Sequence, residues 1–228
     1  MISEIVCRHL LASVGVAVLD ALIVHASETF ARSWNDTPAM PFRIVPGVYF
    51  GTRYRGDVIP IGAPAPVPLN QIYDLQQIID LWVSDTLVGN IDRTVFGNVL
   101  MVPRAKNKFI LIAADQSDCF CGSGPFSDGT WRERLRVRPR SECIFIPDAV
   151  GLGGGARVVR ESIERTRIAL TRIRASFEDV PRAWWEAAQI EPNSIEQELW
   201  RRHESLPEIL RLREWGDLNY EQYNIPIL

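Results

Sequence analysis

A helical stretch, a polar turn and two short apolar runs follow one another in the middle of this chain, and this succession restricts its fold more than any other feature. Apolar residues recur at helical spacing from about Leu69 to Leu87, which predicts an amphipathic helix. The turn Gly89–Arg93 follows, and then the apolar runs Val99–Val102 and Phe109–Ala114, which predict a β-hairpin. We therefore expect an α+β fold in which Asp115 lies at the end of a central hairpin.

The rest of the sequence supplies helices and strands on both sides of this segment. Asn70 is expected to cap the central helix, and a first helix is expected over residues 3–15. β-Branched residues predict a strand over residues 16–25, and alternating aromatic and small residues predict a second strand or a hairpin over residues 45–54. The other expected elements are a loop over residues 31–41, an irregular connector over residues 59–68, a helix over residues 157–177, and further helices from Pro181 and from Ser194. The second half is therefore expected to be mainly helical.

Composition limits the classes of function. The chain has 228 residues, of which 46% are apolar, a net charge of −3 and a pI near 5.7. This balance lacks the basic field of a dedicated nucleic-acid binder, so we expect no direct contact with nucleic acid. The apolar start is interrupted by Arg8, His9 and Asp20, and it predicts neither a membrane span nor a signal peptide. The spacing of the four cysteines fits neither zinc pairs nor a disulfide scaffold, and we expect a cytoplasmic protein with reduced thiols.

Three polar residues around the hairpin form a pattern that is typical of phosphoryl transfer. Asp92 lies in the turn after the central helix, Asn98 precedes the first apolar run, and Asp115 follows the second. In kinase folds one aspartate accepts the proton of the attacking hydroxyl, an asparagine holds a magnesium ion, and a second aspartate reaches the nucleotide phosphates through metal. Carboxylate and amide oxygens are ligands that suit magnesium.

These residues resemble the HipA-like kinase family, which shares its fold with protein kinases and phosphoinositide kinases. The catalytic loop of that family reads approximately Asn-x-Asp-Arg and then Asn and Leu, and this order is matched by Asn90, Asp92, Arg93, Asn98 and Leu100. Asp115-Gln116, with Phe120 downstream, resembles the metal-binding segment of the family. Weaker matches extend over most of the chain, at Ser3-Glu4, at Phe50–Tyr54 and at Val180–Trp184.

The resemblance implies a single domain, with a protein-kinase-like C-terminal lobe that is mainly helical and carries short β-hairpins around the catalytic loop. Residues 1–68 would be a partial N-lobe with the hinge region, residues 69–150 the catalytic and metal loops, and residues 151–228 a helical C-terminal part. The implied ligands are ATP and Mg²⁺, and the implied acceptor is a protein Ser/Thr or a small-molecule hydroxyl. The implied roles are as follows: Asp92 as base, Asn90 and Arg93 as residues that order the loop, Asn98 and Asp115 as metal ligands, and Phe50 and Tyr54 on the adenine side.

Two departures from the family pattern leave a second role open. The interval from Asp92 to Asn98 is one residue longer than usual, so a bulge would have to absorb the extra residue. The first lysine is Lys106, and no glycine-rich turn precedes Gly122, whereas the family uses both features to hold phosphates. A truncated kinase, a start that lies upstream and a pseudokinase are all compatible with this. A pseudokinase would act by binding a partner protein, such as a partner lobe or an antitoxin, as the resemblance to toxin kinases implies.

Two other functional classes have less support. The stretch Gly151–Ala156 fits a dinucleotide-binding glycine pattern, but the sequence after Arg157 predicts helices where such a domain needs parallel strands. We therefore interpret these glycines as a connector. The three histidines are far apart and no nucleophile motif accompanies them, so a hydrolase triad is not expected.

Overall fold

A computed structural model describes residues 1–38, 40, 42–61, 69–93, 98–104, 107–120, 129–137 and 155–211. It confirms the α+β class, with helices around a small mixed sheet. The elements before the central helix are α1 (Ile2–Ser13), β1 (Ala17–Val18), β2 (Ala21–Ala26), α2 (Glu28–Asn35), β3 (Gly47–Thr52) and β4 (Ile59–Ile61). The later elements are α3 (Leu75–Val88), β5 (Val99–Pro103), β6 (Phe109–Ala113), α4 (Thr130–Val137), α5 (Ala156–Leu170), α6 (Ile173–Glu178), α7 (Arg182–Ala188) and α8 (Pro192–Ile209).

The strands of the described residues form two sheets. The larger sheet has the order β1-β6-β5-β4, in which β1 is parallel to β6 and the other neighbours are antiparallel. The predicted hairpin is confirmed: β5 and β6 pair from Val99 opposite Ala113 to Pro103 opposite Phe109. Strands β2 and β3 form a separate antiparallel pair. At the open end of the β5–β6 hairpin, Asn98 therefore lies opposite Ala114, and Ala114 is the residue that precedes Asp115 in the sequence.

Helix α3 lies at the centre of the core. Its residues from Ile78 to Val88 are all buried, so it is covered on every side and not only on the predicted apolar face. It packs against α1, α5 and α8. Buried polar groups on this helix need partners, because water cannot reach them. Asp80 binds Arg165 at 2.9 Å and Asp85 binds Arg93 at 2.7 Å, and the second pair places the candidate site at the end of the helix.

The ends of α3 are set by one side chain and one glycine. The predicted cap at Asn70 is wrong: residues 69–71 form a separate turn of 3₁₀-helix, and the cap is Asp74, whose carboxylate accepts from the N–H of Gln76 at 2.9 Å. At the other end Gly89 has a φ of 63°, a left-handed conformation that costs glycine little. This turn directs the chain into the loop that carries Asn90 and Asp92.

Two predictions in the first quarter of the chain are wrong. The apolar stretch over residues 16–25 is not one strand, because β1 pairs with β6 in the larger sheet and β2 pairs with β3 in the smaller one. Residues 31–41 are not a simple loop, since α2 covers Glu28–Asn35 and begins at Ser27, whose hydroxyl accepts from the N–H of Phe30. The strand expected over residues 45–54 is confirmed as β3, and the connector expected over residues 59–68 begins with the short strand β4.

Residues 155–211 are mainly helical, as predicted. The helix expected over residues 157–177 is two helices, α5 and α6, separated at Thr171 and Arg172. Helices α7 and α8 follow at the positions expected from Pro181 and Ser194. Gly151–Gly154 of the glycine pattern lie outside the described residues. None of the helices in the described ranges combines the length and apolar character that crossing a membrane requires.

Candidate functional site

A buried ion pair between Arg93 and Asp85 organises the loop after α3. The guanidinium donates through Nε to Oδ2 of Asp85 at 2.7 Å and through Nη2 to Oδ1 at 2.9 Å. Both side chains are only 1% exposed. Such a two-bond fork between planar groups fixes orientation as well as distance. The loop is therefore fixed to the C-terminal turn of the central helix.

The same guanidinium joins the two strands of the hairpin. Nη1 donates to the carbonyl of Asn98 and to the carbonyl of Ala114, each at 2.7 Å, and Nη2 donates to Oε1 of Gln116 at 2.7 Å. The N–H of Ala114 also donates to the carbonyl of Asn98 at 3.1 Å. Arg93 thus holds Ala114 and Gln116, which flank Asp115, against Asn98.

Asp92 and Asn98 contact each other directly. The amide nitrogen of Asn98 donates to the carboxylate Oδ2 of Asp92 and to the carbonyl of Asp92, both at 2.8 Å. The side-chain oxygen of Asn90 accepts from the N–H of Asp92 at 2.9 Å and closes a turn around it. The longer interval between Asp92 and Asn98 therefore does not separate the two side chains. The extra residue of this interval falls among residues 94–97, which lie outside the described residues.

Asp115 has an unusual backbone conformation at the end of β6. Its φ is 51°, in the left-handed region that few residues other than glycine adopt, although aspartate and asparagine tolerate it. Its carboxylate accepts from the hydroxyl of Ser117 at 2.6 Å and from the N–H of Ser117 at 3.0 Å. Burial opposes ionisation, but these hydrogen bonds outweigh it, and the pKa of Asp115 lies below its ordinary value. The group is an exposed anion at neutral pH.

Glu4 on α1 is the second carboxyl group at this position. It accepts from the N–H of Gln116 at 2.9 Å, and its own carboxyl is hydrogen-bonded to that of Asp115. Burial, together with the neighbouring charge of Asp115, raises the pKa of Glu4 to about 7. Glu4 is therefore about half protonated at pH 7, whereas Asp115 is ionised.

A small cleft opens beside these two acids. Its lining includes Glu4, Arg8, Val18, Leu19, Phe50, Thr52 and the segment Ala113–Gln116. Arg8 is one turn after Glu4 on α1, and its Nε donates to the carbonyl of Leu19 at 2.7 Å. Phe50 contributes an aromatic wall, whereas Tyr54 is 90% exposed and does not belong to this lining among the described residues. The structure thus brings Phe50 and Asp115 together and leaves Tyr54 on the surface.

The oxygen donors fit a magnesium ion that also binds phosphate. Mg²⁺ commonly takes one or two protein carboxylates and completes its shell with phosphate oxygens and water. Asp115 has an ionised carboxylate after the end of β6, and Asn98, whose amide nitrogen donates to Asp92, has a side-chain oxygen that could serve as a second ligand. Within the described ranges no group of three or more His, Cys, Asp or Glu side chains could hold a metal by itself.

Three residues of the site were not identified from the sequence. Asp85 stands one turn before the end of a helix, and an apolar surrounding is the signal that would have marked it as the partner of Arg93. Glu4 was noted only as part of a helix motif, and Arg8 only as an interruption of an apolar stretch. Glu4 contacts Gln116, which is 112 positions away, and Arg8 contacts Leu19, which is 11 positions away. No local sequence pattern predicts the longer contact.

Searches with this chain matched no protein-family model, no curated protein and no solved structure.

Proposed function

We propose that this chain is a kinase-fold protein that binds ATP with Mg²⁺ and transfers the terminal phosphoryl group to a hydroxyl of a protein Ser/Thr or of a small molecule. The observation that supports this best is the bonding of Arg93 Nη1 to the carbonyls of both Asn98 and Ala114. This arrangement holds a proton acceptor, an amide oxygen and a carboxylate at one end of a hairpin. Phosphoryl transfer depends chiefly on such positioning and on electrostatic stabilisation.

Asp92 is the proposed proton acceptor. The hydroxyl proton passes to the carboxylate of Asp92 as the hydroxyl oxygen bonds to the terminal phosphorus, and the bond from phosphorus to the leaving diphosphate oxygen breaks. Asn98 donates to Asp92 Oδ2 and orients the carboxylate for this task. Asn90 fixes the backbone of Asp92, and Arg93 fixes the loop on the central helix. The orientation of the Asp92 carboxylate is therefore set by residues that do not themselves contact the reacting atoms.

The nucleotide is proposed to bind across the small cleft beside Asp115, which is too narrow to enclose it. Asp115 and Asn98 would hold Mg²⁺, which when bound neutralises phosphate charge and aligns the phosphates. Phe50 offers an apolar face for the adenine ring. Arg8 is the basic side chain in the described lining of the cleft, and its position beside Glu4 and Asp115 suits a phosphate contact.

Turnover of ATP and binding of ATP, measured separately, test this proposal. We expect Asp92→Asn to lower phosphoryl transfer by about 10²- to 10⁴-fold, the usual contribution of a general base, while nucleotide binding changes little. Asp57→Asn is the matched control, since Asp57 is an exposed aspartate that pairs with Arg55 on the surface. Equal turnover in the Asp92 variant and the control would remove Asp92 from the role of base.

A second role, as a binding module without catalysis, is favoured by the chemistry of the cleft. The chain has no lysine before Lys106, and Glu4, whose pKa is raised to about 7 by burial, is hydrogen-bonded to Asp115. Such a module would bind nucleotide or a partner protein without transferring the terminal phosphoryl group. Nucleotide binding that depends on Asp115, with no product formed over many hours, would favour this role over the first.

A further inference from the structure

The small sheet of β2 and β3 has an exposed and almost entirely apolar outer strand. On β3, Val48 and Phe50 pack against the main core, so this strand is the inner one. On β2, Leu22, Ile23 and Val24 are consecutive aliphatic residues with exposed fractions of 40%, 38% and 41%. A two-stranded sheet is marginally stable by itself, and three such residues in a row are unusual at a protein surface.

The register of this sheet shows which backbone groups point away from it. The N–H of Arg53 donates to the carbonyl of Asp20 at 2.9 Å, and the strands continue in register from Ala21 opposite Thr52. In an antiparallel pair, bonded and non-bonded positions alternate. The backbone groups of Asp20, Leu22, Val24 and Ala26 therefore face β3. Those of Ala21, Ile23 and His25 point outward, and within the described part of the chain no backbone group pairs with them.

This edge lacks the features by which proteins block strand pairing. Natural edge strands usually carry a lysine, a proline, a bulge or an inward-pointing charge. The segment Ala21–Ala26 has the sequence Ala-Leu-Ile-Val-His-Ala, which contains no proline, no glycine, no lysine, no arginine and no acidic residue. Ile23 and Val24 at the centre of the segment are β-branched residues that favour strands, and the outward edge of β2 is thus free to accept another strand.

The edge is complementary to itself. When two copies of β2 run antiparallel around a two-fold axis at Ile23, Ile23 lies opposite its equivalent and Ala21 lies opposite His25. All three outward-facing residues then meet an outward-facing residue, whereas an axis at Leu22 or Val24 would match only two. Leu22 lies opposite Val24, and the flanking Asp20 lies opposite Ala26, so no like charges meet.

We propose that this protein forms a two-fold symmetric dimer by antiparallel pairing of β2 with β2 of a second copy. The two small sheets then become one continuous four-stranded sheet with the order β3-β2-β2-β3. The interface is isologous, as in most homodimers, and buries the exposed aliphatic row on each copy. The main-chain bonds provide affinity and the central Ile23 sets the register.

Sedimentation equilibrium over a range of protein concentrations tests the dimer. We expect a concentration-dependent dimer whose dissociation constant rises at least tenfold in Ile23→Lys, because two like charges would then face each other at the axis. The matched control is Ile168→Lys, since Ile168 is an aliphatic residue that is 43% exposed on α5. A protein that stays monomeric at all concentrations, or a dimer that Ile23→Lys leaves unchanged, would overturn the proposal.

Cysteine cross-linking tests the register. In a background with Cys121 and Cys143 replaced by serine, Ile23→Cys should form an intermolecular disulfide with oxidised glutathione, since the paired Cα atoms would be about 5.5 Å apart. Leu22→Cys should cross-link poorly with itself but readily with Val24→Cys. Equal self-linking of the Leu22 and Ile23 variants would contradict this register and with it the proposed dimer.

Discussion

Arg93 and Asp85 form a two-bond ion pair, at 2.7 and 2.9 Å, in a position where each side chain is 1% exposed. A buried pair of this kind adds little net stability, because desolvation offsets the attraction. Losing one partner is costly, since the remaining charge then lies buried without compensation. The pair therefore gives the loop a specific conformation, and losing one member alone should destabilise the fold.

Arg93→Met should lower the free energy of unfolding by about 3–5 kcal/mol. It leaves the Asp85 carboxylate buried and also removes the donors to two carbonyls and to Gln116. The double variant Asp85→Leu/Arg93→Met should recover part of this loss. Chemical denaturation measures both, and Arg182→Met is the control, because Arg182 pairs on the surface with a side-chain exposure of 91%. A loss in Arg93→Met no larger than in this control would contradict the burial argument.

Stability should depend on pH through Glu4. Its pKa is raised from 4.5 to about 7, so between these values the folded state holds a proton that the unfolded state releases. The free energy of unfolding should therefore fall as pH rises from 4.5 to 7, by an amount on the order of 1–3 kcal/mol. Asp80, whose pKa is also raised by burial, adds in the same direction.

Glu4→Gln tests this dependence, since glutamine keeps the shape and cannot ionise. Denaturant titrations at several pH values should show a flatter profile for the variant across this window. An unchanged slope between pH 4.5 and 7 would mean that Glu4 is not the group responsible.

The start of the central helix provides a test of local energetics. Asp74→Ala should cost about 1 kcal/mol of stability, because it removes the side chain that accepts from the N–H of Gln76. Asn70→Ala should cost much less, since α3 begins only at Leu75 and Lys108 contacts the main-chain carbonyl of Asn70. Thermal unfolding of the two variants distinguishes them, and a larger loss at position 70 would restore the cap that the sequence favoured.

Sequence reasoning succeeded where the determining interactions are local. The β5–β6 hairpin has two apolar runs with a short polar connection, and helix α1 ends near Gly15, whose φ is 94°. It failed where a partner lies far along the chain. Strand β1 is separated from β2 because Ala17 pairs with Ile112, and the helix cap was misplaced because Asn70 and Asp74 are equally good capping residues by type.

The residues of the candidate site also fall into two groups, those that a local sequence pattern indicates and those that depend on distant contacts. Asp92, Asn98 and Asp115 stand out in the sequence because of their spacing around the hairpin, and the structure brings Asn98 into contact with Asp92. The chemical roles of the three residues stay predictions. Glu4 does not stand out, because its bond to Gln116 connects residues 112 positions apart and only the packing of α1 creates it. A raised pKa of this kind arises from burial, which a single sequence does not reveal.

Arg8 should contribute to phosphate binding in the cleft. Arg8→Gln should weaken binding of ATP and ADP by about 10- to 100-fold, the range expected for a lost charged hydrogen bond, and should leave adenosine binding nearly unchanged. Calorimetric titration measures all three ligands. Arg8→Lys is the control, because it also removes the bond from Nε to the carbonyl of Leu19 but keeps the charge. Equal losses for ATP and adenosine would indicate a purely structural role.

The most direct test of the nucleotide site is the thermal stability of the protein with ATP and Mg²⁺, compared with that of Asp115→Asn. Asparagine tolerates the left-handed backbone at this position, so the variant should keep its fold and lose only the charge. At a ligand concentration about 100 times the dissociation constant, we expect the wild-type protein to gain about 2.7 kcal/mol and the variant to gain far less. No shift in the wild-type protein, or an equal shift in both, would contradict the assignment of Asp115 and the cleft to a magnesium nucleotide.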